Sequence, residues 1–256
     1  MILVFYAFAR ELALLKRRTK SRRTIGDPHL RGFRAQIGAT EIVAVATGIG
    51  FARTQIAARR AFDLFPDPEI VLAAGVVGAL SKGLRAGDLI LADRILSSHA
   101  GAAAAEHVAT IGDATLSELG RYLRAAGISY STGALLTSHR VLGTGADKRA
   151  AKLSTGAIAV DMETAAVALE AHARGFRFAV LRAVMDSVDD DVAGAEMADE
   201  NGNVRPLAAT NFLLRNPGVI MRLPRMMQSL GRATRTLAFA LEAVATRGAP
   251  ARGSRR

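Results

Sequence analysis

Short, continuously apolar runs alternate with longer Ala-rich segments through most of the chain. Runs without polar interruptions are typical of strands that helices cover on both faces of a sheet. The pattern predicts strands at residues 2–6, 42–47, 70–74, 89–92, 134–137, 157–160 and 178–184. It predicts helices at residues 52–65, 113–126 and 162–174, the last of which ends at Gly175, a residue suited to a helix C-cap.

This alternation predicts an α/β protein, a three-layer α/β/α sandwich around a central, mostly parallel, mixed sheet. Because 256 residues suit one large domain, we expect a single domain over residues 1–246, with its C-terminal helices within residues 207–246. The pattern at residues 219–244 predicts one or two such closing helices, and residues 247–256 are predicted to form a disordered basic tail. Residues 186–206 are acidic and rich in turn formers, which predicts a long loop or lid.

The composition limits what the core can be made of and which sites the chain can form. Half of the residues are hydrophobic but only 5% are aromatic, so the core must be built from Ala, Val, Leu and Ile. There is no Cys, and the five His show no ligand spacing, so we expect neither a metal nor a cofactor. The apolar start has no basic segment before it, and no apolar run approaches the roughly 18 residues that span a bilayer. We therefore expect a cytoplasmic protein.

The formal net charge of +11 is concentrated at residues 16–23, 215–235 and 251–256. Such clusters fit either anionic lipid or nucleic acid, but a solvated basic surface is the simpler interpretation. No recognition motif or interleaved aromatics accompany them, so nucleic-acid binding is not predicted. Peripheral contact with the inner face of the membrane stays open.

Unusual residues follow the predicted strands. Glu11 follows the first, GIG (48–50) the second, AGVVGAL (74–80) the third, VDMET (160–164) the sixth and MDSVDDD (185–191) the seventh. In an open α/β sheet, ligands bind beyond the carboxyl ends of the strands. The sequence therefore predicts that these five segments are loops that converge on one cleft.

Each segment has a functional interpretation and a simpler one. The N–H groups near Gly48 and Gly50 can bind an anion or a ribose oxygen, or the glycines can merely form a tight turn. Glu163 can accept hydrogen bonds from a ribose diol, or Asp161 can cap a helix with Glu163 in its first turn. Asp186, at the mouth of an apolar strand, can be a protonated general acid or can open an Asx turn.

Together, TGIG, PEIVLAAGVVGALSKGLRAGDLILAD and AIAVDMETAAVALEAHARGFRFAVLRAVMDSVDD resemble the nucleoside phosphorylase and nucleosidase superfamily over residues 1 to about 191. The resemblance implies a phosphorylase/hydrolase-like fold and cleavage of the N-glycosidic bond of a purine nucleoside. It implies that Met162 packs against the ribose, Glu163 holds its hydroxyls, and Asp186 protonates N7. It also implies that Glu11 activates water. The other substrate-binding residues that it implies are Asp161, Gly48, Gly50, Gly75, Val76, Val141 and Leu142.

Within that superfamily the chain is most similar to the hopanoid-associated phosphorylases, through GALLTSHRVL, TGAIAVDMETAAVA and LLRNPGVIMRLPRMMQSLGRATRTLAFAL. This similarity implies release of adenine from adenosylhopane, a lipid-linked nucleoside. The resemblance to the wider superfamily implies a homo-oligomer. One alternative is a methylthioadenosine/S-adenosylhomocysteine nucleosidase. Another is a basic membrane- or nucleic-acid-associated protein on a degenerate nucleosidase fold.

Three residues bear on the nucleophile. Many relatives carry Ser or Thr at the position of Val76, in the phosphate or water site, and many carry Ser at the position of Met185. The loss of the first hydroxyl argues against a standard phosphate pocket, and Glu11 favours hydrolysis. The sequence leaves open whether water or inorganic phosphate, as a co-substrate, attacks the sugar.

Overall fold

The structure, a computed structural model, describes residues 1–19, 21–98, 104–191 and 217–248. In these residues one sheet of ten strands forms the centre of the molecule. Its strands are β1 Ile2–Tyr6, β2 Arg22–Arg23, β3 Arg31–Ile37, β4 Thr40–Ala46, β5 Ile70–Ala79, β6 Leu89–Ser98, β7 Glu106–Thr110, β8 Tyr130–Ser138, β9 Ala159–Asp161 and β10 Phe178–Asp186. The helices are α1 Ala13–Arg18, α2 Phe51–Leu64, α3 Asp113–Ala125, α4 Gly145–Thr155, α5 Thr164–Ala173 and α6 Pro217–Ala245.

The sheet is mixed, as expected, and it closes on itself at one end. The order is β10-β6-β8-β9-β5-β1-β4-β3-β2, with β7 paired to β6, and β10 also pairs with β5. Strands β5, β9, β8, β6 and β10 therefore form a ring. Parallel pairs join β1 to β4 and β5, β5 to β10, and β8 to β6 and β9. This topology brings the ends of β1, β5, β9 and β10 close to one another.

Helices cover both faces, which gives the expected three layers. On one face α1, α3 and α6 bury leucines such as Leu15, Leu119 and Leu237 against the sheet. On the other face α2 and α5 pack through small residues and Phe62. Phe62 contacts the Phe5 ring edge-on, with centroids 5.3 Å apart. Because few aromatics are available, close packing of Ala, Val and Leu builds both apolar layers.

Every strand and helix predicted from the apolar runs is found, but some bounds differ. β5 and β6 are longer than predicted, and Gly75 and Val76 lie within β5 rather than in a loop after it. The prediction of a loop there was wrong because β10 continues to pair with β5 as far as Gly78. The pattern did not predict β2, β3, β7, α1 or α4, whose sequences mix polar and apolar residues.

The closing segment is a single helix, α6, which contains Pro224. Most of the predicted acidic loop (residues 192–206) and most of the predicted tail (residues 249–256) lie outside the described residues. None of the described helices is both long and apolar enough to cross a bilayer.

Candidate functional site

A buried ion pair joins β9 to β10. Arg182 Nη2 lies 2.5 Å from Asp161 Oδ2 and donates a hydrogen bond of 2.7 Å to Thr164 Oγ1. Asp161 also accepts hydrogen bonds from Thr137 Oγ1 at 2.8 Å and from the Thr164 N–H at 3.1 Å. Arg182 is only 1% exposed. Partners on several sides therefore hold both charged groups in one geometry.

Asp161 matches its part of the helix-start interpretation of VDMET, because its carboxylate accepts the N–H of Thr164, the first residue of α5. Glu163, however, lies just before the helix rather than in its first turn. Its two oxygens are engaged by Thr137, Thr164 and Arg182. Direct binding of substrate by Asp161 stays a prediction.

Glu11 lies in the turn between β1 and α1, and its carboxylate is almost fully buried. Oε2 accepts the N–H groups of Ala7 and Phe8 at 2.6 and 3.1 Å, and Oε1 accepts the N–H of Val76 at 2.8 Å. Burial raises the pKa of Glu11, while Arg182 and these N–H groups oppose the rise. Val76 therefore contributes its backbone to the site, and its side chain packs against the apolar core.

Gly75 allows Glu11 and Arg182 to approach each other closely. A Cβ atom at Gly75 would lie 2.3 Å from Arg182 Nη1 and 2.4 Å from Glu11 Oε1, closer than side chains pack. Among the described residues, Arg182 Nη1 is buried and has no hydrogen-bond partner. An unpaired buried N–H is costly, so this donor indicates a binding position for a small polar group from outside the chain.

Arg182 was not predicted from the sequence as a site residue. A signal was present, since Arg182 is the one charged residue in the otherwise apolar run FAVLRAV. A charged residue in the middle of a buried strand requires a compensating partner, so such a residue often indicates a functional site.

Glu163 lies directly before α5 and is held by the glycine turn. The N–H of Gly50 donates to Glu163 Oε1 at 2.9 Å. Gly48 and Gly50 have φ angles of 81° and 98°, which other residues rarely adopt. The GIG segment thus presents an N–H to a carboxylate of the protein itself. Burial, followed by the neighbouring Asp161, raises the pKa of Glu163 to about 8.

The cluster carries an excess of acidic groups. The carboxyls of Glu11, Asp161 and Glu163 act on a single guanidinium, that of Arg182. With all three carboxyls ionised, two negative charges would remain uncompensated away from water, so at least one carboxyl tends to hold a proton. Such a cluster suits hydroxyl groups, water or a developing positive charge, and it disfavours a phosphate dianion.

Asp186 is the last residue of β10 and contacts a different set of groups. It pairs with Gly78 of β5, and a Cβ atom at Gly78 would lie 3.1 Å from its Oδ2. Its carboxylate accepts a hydrogen bond from the Lys148 ammonium. Burial raises the pKa of Asp186, and Lys148 opposes the rise. The burial thus favours a carboxyl that holds a proton, as a general acid must.

Strand β5 connects the two groups of side chains. Its residue Gly75 stands opposite Arg182 in the β5–β10 register, and Gly78 stands opposite Asp186. The structure thus brings Glu11, Glu163 and Arg182 into one network, with Asp186 farther along the same pair of strands.

The remaining predicted residues lie around this network. Met162 is half-buried beside Glu163. Val141 is half-buried in the β8–α4 loop, whereas Leu142 packs in a small apolar cluster with Leu80. The substrate contacts of all three stay predictions.

A ring contact near the site was also not predicted from the sequence. The imidazole of His139 stacks on the ring of Phe51, with centroids 4.8 Å apart. This contact links the β8–α4 loop to the start of α2. Among the described residues, no group of three or more His, Asp or Glu side chains forms a metal site.

Solved structures share this fold. The 5'-methylthioadenosine/S-adenosylhomocysteine nucleosidase of Neisseria meningitidis, in complex with methylthio-immucillin-A, superposes with a TM-score of 0.69 at 19% identity, covering 96% of this chain and 98% of that one. A futalosine hydrolase mutant of Helicobacter pylori gives a TM-score of 0.69 at 17% identity, covering 94% and 98%.

Sequence comparison gives the family. The 5'-methylthioadenosine/S-adenosylhomocysteine nucleosidase of Staphylococcus epidermidis is 24% identical over 213 residues, which are 78% of this chain and 93% of that protein. The family model described as the phosphorylase superfamily matches residues 1–214. The expectation of an enzyme of the nucleoside hydrolase and phosphorylase class is confirmed. The chain belongs to the phosphorylase superfamily.

Proposed function

We propose that this enzyme hydrolyses the N-glycosidic bond of a purine nucleoside. The observation that carries the proposal is the close approach of two groups over Gly75, the unpaired Nη1 of Arg182 and the carboxylate of Glu11. A water molecule bound to both groups can accept from Arg182 and donate to Glu11. Glu11 then removes a proton from the water as it attacks C1′ of the sugar.

The charge of the site favours water rather than phosphate as the nucleophile. Phosphate carries up to two negative charges at neutral pH, and the buried acidic groups of Glu11, Asp161 and Glu163 would repel it. Arg182 is the cation of this network, and one of its nitrogens already pairs with Asp161. A buried anion needs compensating charge, which this position does not supply. Neutral water needs none.

The other groups have roles at the sugar and the base. Glu163 accepts hydrogen bonds from the ribose hydroxyls, which favour its ionised form. Its carboxylate then stabilises the positive charge that develops on the sugar as the bond to N9 breaks. Asp186 donates its proton to N7, so the base leaves neutral. Met162, beside Glu163, packs against the ribose.

For the substrate we propose adenosylhopane, on the similarity to the hopanoid-associated phosphorylases. Methylthioadenosine or S-adenosylhomocysteine is the second candidate, because the relatives found by sequence are named for those substrates. Both candidates present an adenine and a ribose to the same residues, and they differ only in the group on the 5′ side. The expectation of a homo-oligomer stays a prediction.

Substrate and nucleophile can be tested together. We expect adenine release from adenosylhopane in detergent, and the same rate whether or not phosphate is present, because water is the nucleophile. Chromatography of the bases and a reducing-sugar assay would measure it, with methylthioadenosine and S-adenosylhomocysteine in parallel. Faster release from methylthioadenosine than from adenosylhopane would contradict the lipid assignment. Release that requires phosphate would contradict hydrolysis.

A membrane contact is part of the same proposal, because a hopanoid substrate resides in a bilayer. Residues 217–241 of α6 contain no Asp or Glu. Three exposed arginines, Arg225, Arg232 and Arg235, lie on one side of α6 with Phe239, which is 40% exposed. Arg18 lies 4.8 Å from the Phe239 ring centroid, and its charge is paired with Glu242 at the C-terminal end of the same helix. An exposed basic face with an apolar residue suits an anionic lipid surface.

We expect the protein to co-sediment with vesicles that contain anionic lipid and to detach as salt rises, because salt screens the attraction. Replacing both Arg232 and Arg235 by Glu should abolish binding at low salt. A control with the same change in net charge, Arg94→Glu with Lys152→Glu, should bind more strongly than that variant. Equal binding by the two variants would show that net charge alone, rather than the α6 face, governs attachment.

A further inference from the structure

Lys148 is fully buried, which the sequence around it does not predict. It lies in α4, where Gly145 is the only other buried residue, yet it is 1% exposed. Among the described residues it is the one lysine that is fully buried. Removing an ammonium group from water is costly, so a buried lysine requires strong partners.

The partners of Lys148 all come from the end of β10 and the loop that follows it. The ammonium donates to the carboxylate of Asp186 and to the carbonyl oxygens of Ser187 and Asp190, the latter two at 2.8 Å. These acceptors use all three of its N–H groups. The ammonium is therefore saturated, and it bonds Asp186 and its loop to α4.

Further contacts attach the same loop to α4. The N–H of Gly145 donates to Asp191 Oδ1 at 3.1 Å, and Arg149 Nη1 lies 2.9 Å from Asp189 Oδ1. Thr144 caps the helix by accepting the N–H of Asp147. The helix that carries Lys148 and the loop that carries its acceptors are thus fixed to each other. Lys148 has little freedom to leave Asp186.

We propose that Lys148 is a positioning residue that orients the Asp186 carboxyl and stabilises the carboxylate left when its proton has been given away. The inference rests on the proposed function, in which the Asp186 proton moves to N7 while the C1′–N9 electron pair moves to the base. The negative charge that appears on Asp186 then faces the Lys148 ammonium. Lys148 makes Asp186 a stronger acid than a buried carboxyl alone.

The charges around Asp186 are consistent with this role. Lys148 faces it from α4 and Asp190 from the loop, while β5 presents Gly78 and β9 presents Val160, neither of which is charged. When Asp186 is ionised, the Lys148 ammonium faces two carboxylates, those of Asp186 and Asp190, so the net charge is −1. A proton on Asp186 makes the net charge zero. Burial thus favours the protonated acid before the reaction, and Lys148 favours the carboxylate after it.

The test is the pH profile of kcat for purine release in Lys148→Met. Activity needs protonated Asp186, so it falls as pH rises through the pKa of that group. Without the ammonium, that pKa rises. We expect kcat at neutral pH to fall about 10- to 100-fold, and the midpoint of the alkaline limb to move up by at least about one pH unit. Lys152→Met, on the same helix, should leave the midpoint unchanged.

The variant Asp190→Asn should shift the pKa of Asp186 in the opposite direction. Asp190 raises the pKa of Asp186, and its carboxylate accepts hydrogen bonds from the Ser187 N–H and hydroxyl, which an amide oxygen can still accept. We expect the midpoint of the alkaline limb of this variant to move to lower pH. The shift should be smaller than that of Lys148→Met, because Asp190 is exposed and solvent screens its charge. This variant tests the charge effect even where Lys148→Met does not fold.

A folded Lys148→Met with the wild-type midpoint would overturn the inference, and so would an unmoved midpoint in Asp190→Asn if Lys148→Met does not fold. Failure of the proposed function gives a different result, because wild-type protein then releases no purine, or Asp186→Asn releases it normally.

Discussion

Replacement of Asp186 by Asn is expected to lower purine release by about 10²- to 10⁴-fold, the usual contribution of a general acid. The amide has nearly the shape of the carboxyl but cannot give a proton to N7, so the base must leave as an anion. Its oxygen can still accept from Lys148, whose other acceptors, the Ser187 and Asp190 carbonyls, remain. The variant should therefore fold, with a lower melting temperature because one charge of a buried pair is gone.

A leaving group that needs no proton provides the control. With 4-nitrophenyl riboside, the departing phenolate is stable by itself, so Asp186→Asn should keep most of the wild-type rate. Spectrophotometric assays of both substrates, with circular dichroism of the folded variant, would measure the contrast. Near-normal purine release would exclude Asp186 as the acid. An equal loss on both substrates would indicate a distorted site.

The pattern of apolar runs predicted most of the central sheet, and it did so for a physical reason. Strands such as β1 and β10 are buried on both faces, so their sequences are continuously apolar and their ends are visible where polar residues resume. The same reasoning placed Glu163 and Asp186 at strand ends. It failed for β3, where buried and exposed residues alternate along a strand near the edge of the sheet.

The residues that the sequence did not identify depend on long-range partners. Arg182 is tolerated in a buried strand because Asp161, on a separate strand, compensates its charge. Lys148 is buried because the loop after β10 covers it. Neither partner is near in sequence, so local patterns carry little information about them. Gly75 was assigned to a loop for a similar reason, since its role is to leave room for two groups from other segments.

The nucleophile is best tested at Glu11, where Glu11→Gln should lower purine release by about 10²- to 10⁴-fold if water attacks the sugar. In the structure Glu11 Oε1 lies over Gly75 near the unpaired Nη1 of Arg182, and a water bound to both groups would lose its proton to Glu11. An uncharged amide cannot take that proton. Phosphate needs no such base, because it is already an anion.

Glu11→Gln is also expected to lower the stability of the protein, and this effect must be distinguished from the loss of the base. The Glu11 carboxylate accepts three backbone N–H groups, from Ala7, Phe8 and Val76. The glutamine NH₂ group must face at least one of these donors, which leaves a buried N–H unpaired and costs roughly 1–3 kcal/mol of stability. Thermal melting measures that cost, and the Kd of adenine shows whether the base still binds.

Two outcomes then distinguish the mechanisms. A folded Glu11→Gln that binds adenine normally but has lost its activity, with or without phosphate, supports hydrolysis with Glu11 as the base. If phosphate restores the rate in that variant, the enzyme is a phosphorylase. The acidic groups around Arg182 must then accommodate an anion by taking up protons, so the rate would rise as pH falls below about 8, the pKa of Glu163. The absence of any phosphate response at low pH would exclude that route on electrostatic grounds.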